Sequence, residues 1–245
     1  MTRKYYDLHI HSCLSPCGDE DNTPNNIVGM ASLCGIDILA LTDHNSCKNC
    51  PAFFEAAKKY GITPIAGMEL TTSEDIHVVC LFEHLQDAIR FDEYVSERLT
   101  KIKNRPDFFG NQSILNENDE SISTVDNLLI VATSISVSDV KAIVEGFGGV
   151  CYPAHIDRDS NGIIAILGTL PEDTLFDYYE LRDKANIENY SMRYGIEEDR
   201  FIVSSDAHYL TDISDKDAFI EFDTLDTSSE AIRAHLFEHL RRKRT

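Results

Sequence analysis

Short apolar runs recur along the chain, and between them apolar residues return every three to four positions. The runs Tyr5–His11, Ile36–Thr42, Ile62–Ala66, Ile76–Phe82, Leu128–Ala132, Gly149–Pro153, Phe176–Leu181 and Phe201–Ser205 predict strands. Helices are expected between them. Thr23 caps one, Pro24 takes its first helical position, and Gly35 stops it just after Leu33. Others are expected over Pro51–Tyr60, Leu85–Lys103, Ser138–Phe147 and Ser228–Arg242. Strand-then-helix alternation predicts a parallel sheet, and at 245 residues a distorted α/β barrel is its natural closure. Asn104–Asp126 breaks the rhythm: it is polar and turn-rich, an irregular excursion over one face. No shift in composition marks a second domain, so residues 1–245 are expected to form a single barrel domain.

The alternation raises a question at its first strand. In Asp7-Leu8-His9-Ile10-His11-Ser12, His9 and His11 stand two residues apart, so both imidazoles face the same side. Parallel barrels collect their active sites at the C-terminal ends of strands. Asp43 and His44 end the second run, Glu69 follows the third and His77 lies on the fourth. His155 follows a later run, and Asp206 and His208 end the last with the same two-residue spacing. Any one of these has an ordinary reading. His77 alone suits a satisfied core histidine, and Asp43 alone a helix N-cap. Six such positions on one rim point instead to histidine and carboxylate ligands, a donor set that suits zinc, manganese or iron. They are too many for one ion and imply two or three divalent ions sharing a carboxylate.

HIH, TDHN, the Glu69 of GMEL, the strand His77, the AH of PAHIDR and SDAH together resemble the PHP (polymerase and histidinol phosphatase) family, over most of the chain and in the family's order. The resemblance implies a distorted (β/α)7 TIM-like barrel. It also implies one ion held by His9, His11, Glu69 and Asp206, a second bridged by Glu69 with His77 and His155, and a third near His44 and His208. One position departs. Where many members carry a further histidine or aspartate ligand, this chain has Cys17, with Asp19 two residues on as the alternative. Thiolate is itself a good zinc ligand. Cys47 and Cys50 form a CxxC and Cys13 and Cys17 a CxxxC, read either as a four-cysteine zinc site or a redox pair, or as small buried residues.

The implied activity is hydrolysis of a small phosphate ester, nucleotides included, by attack of a metal-bound hydroxide. Asp43 and His208 are candidates to protonate the leaving oxygen. Arg158, with Lys48 behind it, is a candidate to grip phosphate. Alternatives are an exonuclease trimming short oligonucleotides and a non-catalytic metal-binding regulatory module. The formal charge of −20 argues against long nucleic acid as partner. The one dense basic run, Arg241–Arg244, reads as a solvated helix end. Seven scattered cysteines, no apolar run long enough to cross a bilayer and no secretory leader pattern predict a cytoplasmic protein.

Overall fold

The computed structural model describes residues 2–171, 176–222 and 226–242. Lys243 and Arg244 of the basic run lie outside them. In chain order the elements are β1 (Thr2–Asp7), α1 (Pro24–Cys34), β2 (Ile38–Leu41), α2 (Cys50–Tyr60), β3 (Thr63–Thr71), β4 (His77–Phe82), α3 (Leu85–Arg98) and α4 (Pro106–Phe109). Then come β5 (Ser113–Leu115), β6 (Ser121–Thr124), α5 (Val137–Gly146), β7 (Val150–Pro153), α6 (Ile163–Leu167), β8 (Tyr179–Leu181), α7 (Ile187–Tyr194), β9 (Phe201–Val203), β10 (Phe219–Phe222) and α8 (Ser229–Leu240). The result is a mixed α/β fold. Its curled main sheet runs in the order β10-β1-β2-β3-β4-β7, with β8 pairing β9 beside it.

β2, β3 and β4 are buried on both faces, and their period-two alternation feeds two cores. Ile38 and Ala40 of β2, Ile65 of β3, and Val79 and Leu81 of β4 pack inward with Leu8, Tyr152 and Ile202. Leu39, Leu41, Met68, Val78, Cys80 and Phe82 face the other way, against Ile27, Val28 and Ala31 of α1 and Phe53, Ala56 and Ala57 of α2. Ile232, Leu236, Phe237 and Leu240 of α8 join the inner core. Thr23 caps α1 as expected, accepting from the Asn26 amide, and Gly35 closes it at φ 76°.

Three expectations are corrected. The sheet is not all parallel: β4 runs antiparallel to both β3 and β7, and β10 antiparallel to β1. Only residues 72–76 separate β3 from β4, too few for a crossover helix, so the chain must turn back on itself. Leu128–Ala132 is a loop rather than a strand. Its carbonyls at Leu129 and Val131 accept from the Asn45 side-chain amide (2.6 and 3.0 Å), and the Leu129 amide donates to Gln112 Oε1 (2.8 Å). These side-chain bonds satisfy backbone groups that a strand neighbour would otherwise take. The excursion is ordered, holding α4 and the β5–β6 hairpin, and Asn49 pins it through the Ser113 carbonyl and the Leu115 amide. Among the described residues, no helix is long and apolar enough to cross a membrane.

Candidate metal centre

β1 ends at Asp7, so His9 and His11 stand just past it, on a segment tied to the loop after β9. Ile10 bridges Ala207, and the His11 amide donates to the Ala207 carbonyl at 3.0 Å. Asp43 and His44 follow β2, His44 bridging Glu69. β3 is longer than its sequence suggests and carries Glu69 within it. Because β4 is reversed, its first residue, His77, paired with Thr71, lies at the same rim as the ends of its neighbours. His155 follows β7, and Asp206 and His208 follow β9. His155 (φ 29°) and Asp206 (φ 53°) hold left-handed backbone, a strained state for non-glycine residues that the surrounding packing must maintain.

Glu69 stands at the centre. Its Oε1 lies 3.4 Å from His9 Nε2, 2.8 Å from His77 Nδ1 and 3.0 Å from His155 Nε2. Its Oε2 lies 3.2 Å from His11 Nε2 and 3.0 Å from His44 Nδ1. Asp206 Oδ1 is 3.5 Å from His9 Nε2 and 3.3 Å from His11 Nε2. Yet Glu69 Oε2, Asp206 Oδ1, His44 Nδ1 and His77 Nδ1 are buried atoms without an aligned hydrogen bond. A buried polar atom left unmatched costs roughly 1–3 kcal/mol. Four gathered at one spot fit divalent cations as the missing partners. Three donor groups lie within mutual reach, each pair of ligand atoms no more than 4.8 Å apart: His9, His11, Glu69 and Asp206; His44, Glu69 and His77; and His11, Cys17, His44 and His208.

The electrostatics follow from this crowding. Burial works against charge on His9, but Glu180, Glu69 and Asp206 outweigh it and hold the imidazole well above its usual value. His11 is likewise raised to about 9, Asp206 and Glu69 overcoming burial. Burial opposes ionisation of Glu69 too, but the surrounding histidines hold it well below the usual carboxylate range. His44, where burial dominates, is pushed well down, and burial beside His11 lowers His208 to about 4. Burial, then Glu69 and Asp206, push the Cys17 thiol up.

The remaining candidates separate. Cys17 joins the donor groups, whereas Asp19 turns its carboxylate to the Asp21 amide and joins none. Arg158 reaches the rim and binds Asp206 Oδ2 at 2.8 Å, with its side chain 37% exposed. It lines an open cavity of about 450 Å³ with Arg182, Asp157, Asp183 and Asp212. Lys48 does not reach the rim and pairs with Asp92. Asp43 is buried and faces away from the cluster, accepting from the Ser12 amide (2.7 Å), Ser12 Oγ (2.6 Å) and Ser15 Oγ (2.7 Å). Cys47 and Cys50 are buried and point at the Gly67 and Leu41 carbonyls. No group of four cysteines forms among the described residues.

Two residues escaped the sequence reading. Glu180, fully buried on β8, accepts from His9 Nδ1 (2.8 Å) and from the His155 amide (3.0 Å). A carboxylate inside the apolar run Tyr178-Tyr179-Glu180-Leu181 was the available signal. Ser15 bonds His11 Nδ1 (2.9 Å) and Asp43 together, and nothing in the sequence distinguishes it from any loop serine.

A family model, the PHP domain, matches residues 7–158. The chain therefore belongs to the PHP domain family, a family of metal-dependent phosphoesterases and nucleases. Within it, the chain is 39% identical over 84 residues to a 5'-3' exoribonuclease of Haemophilus influenzae, covering 33% of this chain and 29% of that protein. Among solved structures it superimposes on the lesion-specific endonuclease PfuEndoQ of Pyrococcus furiosus with a TM-score of 0.60 at 18% identity, covering 85% of this chain and 49% of that one. An amidohydrolase from Chromobacterium violaceum gives a TM-score of 0.54 at 18% identity, covering 89% and 91%. The chain thus spans under a third of the exoribonuclease and half of the endonuclease. At these identities the two structures speak for the fold.

Proposed function

We propose that this protein is a metal-dependent phosphoesterase acting on a small phosphate ester, nucleotides included. One observation carries the reading: five imidazoles surround the buried Glu69 carboxylate, and cluster atoms stay unmatched unless cations fill the gap. Two or three ions, zinc, manganese or iron, suit these donors. His9, His11, Glu69 and Asp206 would hold one, and Glu69, His77 and His155 a second. His44 and His208 with Cys17 would hold a third. Bound there, divalent ions supply Lewis acidity that offsets phosphoryl charge and lowers the pKa of water toward neutrality.

The protein's own groups set the stage for that chemistry. Glu180 accepts a hydrogen bond from His9 Nδ1 and so leaves Nε2 turned to where a cation would sit, as an acidic partner commonly orients a ligating histidine. Asp43, through Ser15, does the same for His11, and we assign it to positioning rather than to proton transfer. His208, half-buried and lowered to about 4 by burial beside His11, would be a neutral ligand on the open side. Arg158, with one face on Asp206 and the other exposed, is placed to grip a phosphoryl oxygen.

The same contacts support the finer fold. β1, β2, β3, β4, β7, β8 and β9 form a distorted seven-stranded ring, joined at its two loose seams by the Ile156 amide to the Glu180 carbonyl (2.9 Å) and by Ile10 to Ala207. One domain is the reading that fits. Similarity to an exoribonuclease favours a second reading, an exonuclease acting on short strands. Hydrolysis of p-nitrophenyl phosphate, AMP, a 3',5'-bisphosphate and a short single-stranded oligomer, with Mn²⁺ or Zn²⁺, separates them. Turnover of the small esters is expected. Turnover of the oligomer alone establishes the exonuclease, and no turnover of any leaves a non-catalytic metal-binding module.

A further inference from the structure

We infer that Cys17 gives the centre one thiolate corner that selects zinc, beside a carboxylate-rich corner that does not. The inference rests on the metal-centre reading above and adds a difference in chemistry between its sites. The His9, His11, Glu69 and Asp206 group offers two carboxylates and two imidazoles. The group on the open side offers no carboxylate: its donors are Cys17 sulfur with the imidazoles of His11, His44 and His208. Carboxylates accept manganese readily, whereas thiolate and imidazole favour zinc. His11 also lies within 3.3 Å of both Glu69 and Asp206, so it belongs equally to the first corner. His44, 3.0 Å from Glu69 Oε2, is shared likewise, so Cys17 and His208 are the donors peculiar to this corner, and with His44 they would offer a cation one sulfur and two imidazoles.

The local fold builds this corner. The loop carrying Cys17 is stitched to the residue opposite it. The Asp19 amide donates to the His208 carbonyl at 2.9 Å, and the Asn22 side-chain amide donates to the His208 and His11 carbonyls at 2.8 and 3.0 Å. Ser15 and Gly18 close a tight turn around Cys17, the Gly18 amide donating to the Ser15 carbonyl at 3.0 Å. A β-carbon at Gly18 would collide with the Ser12 carbonyl oxygen, so the turn requires glycine. Asp19, the oxygen donor that would have made this corner like the other, is spent on the Asp21 amide.

The test is zinc-edge X-ray absorption of the full chain, with metal counting after equilibration in equal excess zinc and manganese. The expected result is a sulfur shell at about 2.3 Å in the wild type, beside nitrogen and oxygen ligands at about 2.0–2.2 Å. Cys17→Ser loses that shell and keeps the other ions, and Cys17→Asp, which restores a ligand, replaces the sulfur shell by oxygen and raises the manganese share of this corner. Cys13→Ser and Cys47→Ser keep the shell. Circular dichroism confirms that each variant is folded. Wild-type protein binding zinc through nitrogen and oxygen alone overturns the inference while leaving the metal centre standing. A sulfur shell that survives in Cys17→Ser also overturns it. If no metal binds at all, the reading beneath it falls too.

Discussion

Glu180 shows how much a centre of this kind depends on groups that do not face it. One oxygen of its buried carboxylate fixes both the His9 ring and the His155 backbone, the latter in a left-handed conformation. Glu180→Gln keeps the size but offers no negative charge. The expected outcome is a folded protein whose metal affinity falls about 10–100-fold, read by competition with a chromogenic chelator; unchanged affinity would refute the positioning role. His11 gives a pH prediction. Its folded pKa of about 9 stands above the unfolded value of 6.5, so in the metal-free protein its ion pairs stabilise fully below pH 6.5. That contribution, of order 3 kcal/mol, is lost as pH rises from 6.5 through 9. Metal and proton compete for the same imidazole, so apparent metal affinity should rise over that interval with proton release. Thermal melts of metal-free protein and calorimetry in buffers of different ionisation enthalpy check both; a melting temperature flat from pH 6.5 to 9 contradicts the assignment.

At the scale of elements, the reversed β4 brings His77 to the rim, and it requires close strand packing. Gly67 on β3 makes this possible: a β-carbon there would lie 2.8 Å from Thr42 Cγ2 and 2.9 Å from the Cys80 carbonyl oxygen. Gly67→Ala is expected to cost about 1–3 kcal/mol by overpacking, measured by urea denaturation, and to weaken metal binding because Glu69 and His77 shift with it. A wild-type midpoint would show the approach to be loose. The rim residues were legible in the sequence because each closes, opens or lies within a short apolar run, and runs with their histidines survive any error in strand direction. The direction of β4 was less legible, since an apolar strand reads alike in either sense and only the short 72–76 link betrays it. Leu128–Ala132 misled for a related reason. It is as apolar as a strand, but its backbone is claimed by the side chains of Asn45 and Gln112, distant partners that no local pattern announces. Ser15 and Glu180 were hidden likewise, because their roles exist only once four separate segments meet.

For the whole molecule, the charge of −20 and the mixed lining beside the rim, Arg158 and Arg182 among Asp157, Asp183 and Asp212, set what can approach. A long duplex would bring many phosphates against an acidic surface, whereas a small ester brings its charge only where cations and guanidinium groups meet it. Duplex DNA is expected to bind more weakly than about 10⁻⁴ M near physiological salt. Fluorescence anisotropy checks this, and micromolar binding would place the protein with the DNA-acting members of its fold. All of these require that the rim holds ions. Crystals grown with Mn²⁺ or Zn²⁺ and measured on either side of the absorption edge test it most directly. Two anomalous peaks are expected among His9, His11, Glu69, His77, His155 and Asp206, within about 2.0–2.2 Å of nitrogen and oxygen ligands, and a third, where filled, beside Cys17, His44 and His208. A well-ordered rim with no peak, or peaks only elsewhere on the surface, would contradict it.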